Sequence, residues 1–114
     1  PVLEDDLDTE MENIYVVVDE PAEPIHGYTK LFKKISQKIR IPKKLRQLNL
    51  ERKVYVQLVI NEKGKMYDAK ILKGVNQKLD KEVLKTVKKF AKKWKPAKHR
   101  GQFVKQKIVI PVRI

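Results

Sequence analysis

Residues 53–72 read KVYVQLVINEKGKMYDAKIL and contain the clearest structural pattern in the chain. The first half of this stretch alternates inward and outward residues, which is typical of a strand with one buried face; the inward set is Val54, Val56, Leu58 and Ile60. Asn61 to Gly64 has turn chemistry, because glycine readily adopts a positive φ. Residues 66–72 follow as a second strand, in which we expect Tyr67, Ala69 and Ile71 to share one face. The short connection predicts an antiparallel hairpin.

Two amphipathic helices flank this hairpin in the sequence. The first has apolar residues at helical spacing, which predicts one buried face; these are Tyr28, Leu31, Phe32, Ile35 and Ile39. It should end at Ile41-Pro42, because the residue before proline avoids helical backbone angles. The second helix should begin at Leu79, carry Asp80 in its first turn near the positive end of the helix dipole, and continue through Trp94 until Pro96 ends it.

A third strand is predicted from Phe103 to Arg113, where Gln106 shares the inward face with apolar residues at alternate positions. Pro111 cannot donate a hydrogen bond to a neighbouring strand, which favours an edge position. A strand–helix–strand crossover makes the second and third strands parallel, and the first strand can lie between them, antiparallel to both. The sequence therefore predicts an α+β fold with a ββαβ core. Its three-stranded, antiparallel-type sheet carries two helices on one face, and the third strand lies exposed at one edge.

Charge divides the chain of 114 residues, which has room for one domain. Residues 1–24 contain nine of the 14 acidic residues and none of the 27 Lys and Arg residues. The remainder therefore carries a formal charge of +22 against −9 for the leader. We assign residues 1–26 to an acidic leader, with a possible short strand over 14–18, and residues 27–114 to a basic domain.

Several functional classes find no support in the residues. Cysteine is absent, which excludes disulfides, thiolate metal sites and a cysteine nucleophile. His26 and His99 are far apart and have no second ligand at metal spacing. No set of serine, histidine and acid stands out, and no glycine-rich phosphate loop occurs. We therefore expect neither an enzyme nor a bound cofactor or metal.

The ordered motifs resemble those of the TonB C-terminal domain family. Ile41-Pro42 stands where the family has a Tyr-Pro pair, and residues 53–72 are similar to its first two strands and their turn. Leu79-Asp80, Trp94-Lys-Pro-Ala97 and the stretch from Gly101 to Arg113 follow in family order and spacing. The leader, with Tyr15-Val-Val-Val-Asp-Glu-Pro21, further resembles the Bacteroidetes branch. The resemblance covers roughly residues 27–114.

The resemblance implies a periplasmic domain of an energy transducer anchored in the inner membrane, with the anchor and linker outside this chain. Such domains bind the TonB box of outer-membrane TonB-dependent transporters by β-strand addition. They pass on force derived from the proton gradient by the inner-membrane ExbB/ExbD motor complex. Transferred by position, the partner-binding segment before and including the Tyr-Pro pair is Lys38, Ile39, Arg40, Ile41 and Pro42. The candidate edge comprises Lys105, Gln106, Lys107, Ile108, Val109, Ile110 and Arg113.

Alternatives stay open at this point. A body of +22 with an open sheet face is compatible with a nucleic-acid-binding module. Against it, no aromatic pair is placed as a stacking platform: Tyr55 and Tyr67 are the only candidates, and we expect Tyr67 to share a face with Ala69 and Ile71. A TonB-like domain of an envelope sensor protein is a third interpretation. An open edge is compatible with a monomer and with edge-paired or swapped dimers. Residues 14–18 could be a plain tail, or could pair with the edge and occupy the TonB-box site.

Overall fold

The computed structural model describes residues 14–39, 41, 43–44 and 53–113. Two helices and seven strands have both ends within these ranges, and Lys43 and Lys44 are also helical. The helices are α1 (Tyr28–Lys38) and α2 (Gln77–Phe90). The strands are β1 (Ile14–Tyr15), β2 (Glu23–Pro24), β3 (Lys53–Ile60), β4 (Met66–Lys73), β5 (Trp94–Lys95), β6 (Ala97–His99) and β7 (Gln102–Arg113). The predicted α+β class is confirmed.

The hairpin predicted from residues 53–72 is formed by β3 and β4, which pair antiparallel. The side-chain oxygen of Asn61 organises the turn by accepting hydrogen bonds from the amides of Lys63 (3.0 Å) and Lys65 (2.9 Å). Gly64 has a φ of +81°, as its turn position requires. Its carbonyl accepts a 2.7 Å hydrogen bond from the amide of Trp94, which ties the turn to the segment after α2.

Two irregularities in β4 change which side chains face outward. Met66 pairs with Ile60 and Asp68 with Val59, so Tyr67 is an extra residue in the ladder. Such a bulge leaves the additional residue out of the alternation, and Tyr67 is 49% exposed. The prediction that Tyr67 shares a face with the buried Ala69 is therefore wrong.

Both helices lie where the periodicity predicted them, but they begin or end at other residues than predicted. α1 ends at Lys38 rather than at Ile41-Pro42, because Ile39 already has extended backbone angles. α2 begins at Gln77, since the side chain of Asn76 caps it by accepting from the amides of Lys78 and Leu79.

The second helix also ends earlier than predicted, at Phe90 rather than beyond Trp94. The indole nitrogen of Trp94 donates a 2.7 Å hydrogen bond to the carbonyl of Ala91. The backbone carbonyl of Lys92 accepts from the amide of Met66 at 3.0 Å. Tertiary hydrogen bonds therefore take the place of further helical ones in residues 91–94, and Trp94 is buried in β5 instead.

The main sheet has the order β1-β7-β3-β4, with β6 also pairing with β7. The first predicted strand, now β3, is central and antiparallel to both neighbours, as expected. The third, β7, is not exposed along its whole length. β6 pairs with Gln102 to Val104, and β1 pairs in parallel with Lys105 and Gln106. The sheet has five strands instead of three because leader residues and residues 97–99 add to it.

Both helices pack on one face of this sheet and enclose a single core. Every inward position predicted for β3 is buried, and Gln106, Ile110 and Val112 of β7 are buried as well. Burial of these apolar side chains is the main favourable contribution to folding. Within the part of the chain that the structure describes, no helix combines the length and apolarity that crossing a membrane demands. Within the described ranges no helix covers the other face, which we call the open face, and Tyr67 and Val109 are about half exposed there.

Candidate functional site

The second half of β7 has a sheet partner on one side only within the described ranges. Residues 107–112 pair with β3, from Lys107 opposite Val59 to Val112 opposite Val54. Their other side faces neither β6 nor β1, because β6 pairs no further than Val104 and β1 no further than Gln106. An edge of this kind presents backbone donors and acceptors to an added strand.

Side chains of this free edge alternate between the core and the open face. Ile110 and Val112 are buried beneath the helices, whereas Val109 is 46% exposed on the opposite face. Lys107 lies on the same face as Val109, because alternate strand residues share a face. The edge is therefore anchored by its inward residues and leaves its outward residues accessible.

A groove of about 320 Å³ lies beside the end of this edge. Its walls come from α1, the beginning of β3 and the last residues of β7; they are Phe32, Lys33, Ser36, Lys53, Pro111, Val112 and Arg113. The hydroxyl of Ser36 donates to the carbonyl of Phe32 at 3.0 Å, so it is partly engaged within α1. The groove combines apolar walls with three cationic side chains and contains no acidic residue among those that line it.

The predicted segment 38–42 begins two residues after Ser36 in the chain, and its described side chains are not equivalent. Lys38 is exposed at the end of α1. Ile39 is only 7% exposed and belongs to the core, and Ile41 packs against that core. Arg40 and Pro42 lie outside the described residues. Lys38 is therefore the described member of this segment whose side chain is accessible to a partner.

A second set of contacts holds leader residues against β6 and β7. The side-chain oxygen of Gln106 accepts a hydrogen bond from the amide of Ala22 at 2.8 Å, and its side-chain nitrogen donates to the carbonyl of Val16 at 3.2 Å. Gln106 is only 4% exposed and Ala22 only 1%. Sequence reasoning placed Gln106 inward but missed this role, although an amide on an otherwise apolar face was the available signal.

Further contacts continue along the same segment. A carboxylate oxygen of Asp19 accepts from the amide of Arg100 at 2.8 Å, and its other oxygen lies 3.7 Å from Nδ1 of His99. Glu20 and Lys98 exchange two backbone hydrogen bonds, of 3.0 and 2.9 Å. Residues 14–22 thus follow β6 and the first half of β7, and stop short of the free edge at residues 107–112.

The open sheet face presents Tyr67, which was predicted to share the face of Ala69. The bulge turns Tyr67 outward, and Nζ of Lys105 lies 6.0 Å from the centre of its ring. An exposed tyrosine beside a lysine is one component of a nucleic-acid surface.

Comparison with known proteins complements this geometry. The family model described as Gram-negative bacterial TonB protein C-terminal matches residues 37–113. The solution structure of Helicobacter pylori TonB C-terminal domain residues 194–285 is similar with 26% identity and a TM-score of 0.55, covering 75% of this chain and 89% of that one. A second solution structure, of residues 179–285, has 28% identity and a TM-score of 0.47, covering 75% and 78%. Comparison with curated proteins found no match.

Proposed function

Because the chain belongs to the family of Gram-negative bacterial TonB C-terminal domains, we propose that it binds the TonB box of outer-membrane transporters by strand addition to β7. The box is a short extended segment, and an added strand is held by backbone hydrogen bonds while neighbouring pockets select its side chains. The domain works in the periplasm and is an interaction module rather than an enzyme. Through the strand contact it transmits force that the ExbB/ExbD motor derives from the proton gradient.

One observation carries this proposal: residues 107–112 pair with β3 and with no other described strand. This stretch is long enough for an added segment of about six residues, a usual strand length. The groove beside Pro111 and Ser36 lies at the end of the same edge. A side chain of the added strand can enter it and meet Phe32, while an acidic neighbour meets Lys33 or Lys53.

Pro111 sets the register that the added strand can adopt. Within sheets, proline is accommodated where its nitrogen faces an unpaired edge. The amides of Lys107 and Val109 have the same parity as Pro111 and therefore point toward the same edge. We infer that these two amides donate to the added strand and that pairing weakens at Pro111.

Replacing Val109 by proline tests this assignment. V109P removes a backbone amide that points toward the free edge and leaves the buried side chains of β7 unchanged. V109A is the matched control, because it shortens the side chain and retains the amide. Loss of a strand hydrogen bond and its neighbour should weaken TonB-box peptide binding about tenfold. Binding is measured by calorimetry with the full chain, and backbone NMR spectra establish that both variants keep the fold.

Equal affinities of V109P and V109A for the peptide would contradict strand addition at this position. Salt dependence separates the proposal from nucleic-acid binding, since phosphate contacts release counterions and weaken steeply with salt. Peptide binding through backbone hydrogen bonds should change little between low and high salt. A preference for a DNA duplex that disappears at high salt would favour the nucleic-acid interpretation instead.

A further inference from the structure

A second groove, of about 440 Å³, lies away from β7 between the two helices and the turn before α1. We call it the lysine groove. It is lined by Pro24, Ile25, His26, Gly27, Lys30, Leu31, Lys34, Lys89, Phe90, Lys92 and Lys93. Five of these residues are lysines and none is acidic. The lysine groove is therefore a cationic site formed from both helices.

Its floor is apolar. Phe90 is half-buried at the end of α2, and Leu31 and Ile25 lie beside it. The ammonium groups of Lys34 and Lys89 lie 5.1 and 5.5 Å from the centre of the Phe90 ring. Cations above an aromatic ring are held near it by the ring's electron density. The apolar floor and the cations above it suit a ligand that has apolar and anionic groups side by side.

These lysines have no acidic partner in the described part of the chain. The contact between Asp19 and His99 lies on another surface of the domain. Five neighbouring ammonium groups repel one another, and a polyanionic ligand would remove that repulsion. The concave shape favours a peptide segment over a flat lipid surface, because a recessed ring cannot insert into a bilayer.

The chain itself contains a segment with this chemistry. Residues 1–13 read PVLEDDLDTEMEN and contain six acidic residues and no basic one. Leu3, Leu7 and Met11 recur every fourth position among these acids. Side chains four residues apart line one side of a helical turn. The sequence pattern thus combines apolar residues at helical spacing with acidic residues between them, and this chemistry complements Phe90 and the surrounding lysines.

We propose that residues 1–13 dock intramolecularly into the lysine groove, with apolar side chains over Phe90 and carboxylates on the surrounding lysines. The connection is short enough. A line across the sheet runs from Tyr15 in β1 through Gln106 in β7 and Ile60 in β3 to Met66 in β4, and each residue pairs with the next. Three strand spacings make about 14 Å, and Met66 is hydrogen-bonded to Lys92 on the rim. Residues 8–13 alone would reach about 20 Å when extended, so the connection allows Leu3 and Leu7 to lie over the groove.

Paramagnetic broadening in the full chain tests this docking. The sequence has no cysteine, so T9C carries a single nitroxide label at a position outside the apolar set. We expect the label to broaden the amides of Leu31, Lys34 and Phe90 more than those of the open sheet face. The double variant K34E/K89E should abolish this broadening, whereas K81E/K85E, with the same charge change on exposed positions of α2 outside the groove, should retain it.

Three results would overturn the proposal. Broadening that is absent from the lysine groove, or strongest at Tyr67 and Val109, would place the segment elsewhere. Equal loss of broadening at the lysine groove in K34E/K89E and in K81E/K85E would indicate general charge attraction rather than a specific site. Groove broadening of equal strength in a mixture of nitroxide-labelled and separate ¹⁵N-labelled chains would show contact between copies instead of docking within one chain.

Discussion

The side-chain oxygen of Gln106 accepts a 2.8 Å hydrogen bond from the amide of Ala22, although the two residues are 84 positions apart in the chain. Both are buried. The side-chain nitrogen of the same glutamine donates a hydrogen bond to the carbonyl of Val16. One amide therefore fixes two points of the leader to the inward face of β7, next to the proposed binding edge.

Replacing Gln106 by leucine should destabilise the domain. The buried amide of Ala22 would lose its acceptor, and an unsatisfied buried group costs about 1–3 kcal/mol in the free energy of unfolding. The amide of Ala22 should exchange with solvent faster than amides of the β3–β4 hairpin. Q57L is the control, because Gln57 is a half-buried glutamine of β3 outside this contact. Chemical denaturation and hydrogen exchange measure both effects, and equal stability of Q106L and Q57L would contradict the assignment.

Removal of residues 1–24 should tighten TonB-box binding, because it uncovers Lys105 and Gln106 and lengthens the free edge from six residues to eight. One or two additional backbone hydrogen bonds at about 1 kcal/mol each correspond to roughly five- to thirtyfold higher affinity. I14D in the full chain is a second variant that should detach β1, since Ile14 is 7% exposed. Calorimetry with the box peptide measures both, and unchanged affinity in folded protein would mean that the leader does not compete for the edge.

Gly64 and Gly101 provide a matched pair for backbone strain. Both have positive φ, of +81° and +77°. A Cβ at Gly64 would collide with the backbone carbonyl of Trp94, whereas a Cβ at Gly101 would meet nothing within 4 Å. G101A should therefore cost only the conformational strain, about 1 kcal/mol, and G64A about 1–3 kcal/mol more. Thermal unfolding compares them, and equal losses would show that the turn adjusts to the methyl group.

Alkaline pH should weaken the fold through Tyr28. Burial and, secondarily, the charge of Glu23 raise the pKa of Tyr28 above its usual value of 10.0. As pH rises, the tyrosine of the unfolded chain loses its proton before that of the folded chain. The contribution of Tyr28 to the free energy of unfolding is therefore fully present below about pH 10 and is lost as pH rises through the folded-state pKa. Unfolding free energies of the parent and Y28F, measured from pH 8 to 12, should diverge above pH 10. Parallel curves would contradict the shift.

The core of the fold was predictable from local sequence because alternation and helical spacing report directly on burial. Residues 53–72 gave the hairpin, and the inward positions of β7 were correct down to Gln106. The bulge at Tyr67 was not predictable, since Met66 to Leu72 alternates regularly in sequence and the extra residue is defined only by pairing with β3. The end of α2 was missed for a similar reason: Trp94 has helical spacing, but hydrogen bonds to the distant hairpin decide its conformation.

The candidate site was predictable only in part. The resemblance pointed to the β7 edge and to residues 38–42, but periodicity could not show that leader residues pair with Lys105 and Gln106. It also could not separate the exposed Lys38 from the buried Ile39, because Ile39 continues the apolar spacing of α1. The lysine groove was hidden for another reason. Its lysines come from α1, from the end of α2 and from the residues that follow α2, so the lysine-rich stretch 88–93 did not by itself reveal a site.

The parallel pairing of β1 with β7 has a mechanical consequence. β1 contributes two residues to the sheet, whereas β3 contributes eight and pairs with β7 along its length. Tension applied to the chain ahead of Ile14, with the load attached at β7, acts first on the two-residue contact and on the bonds from Gln106. These yield before the central strands separate. In the proposed complex, the docking edge would then lengthen while the domain is pulled, so that binding of the transporter segment would strengthen under tension.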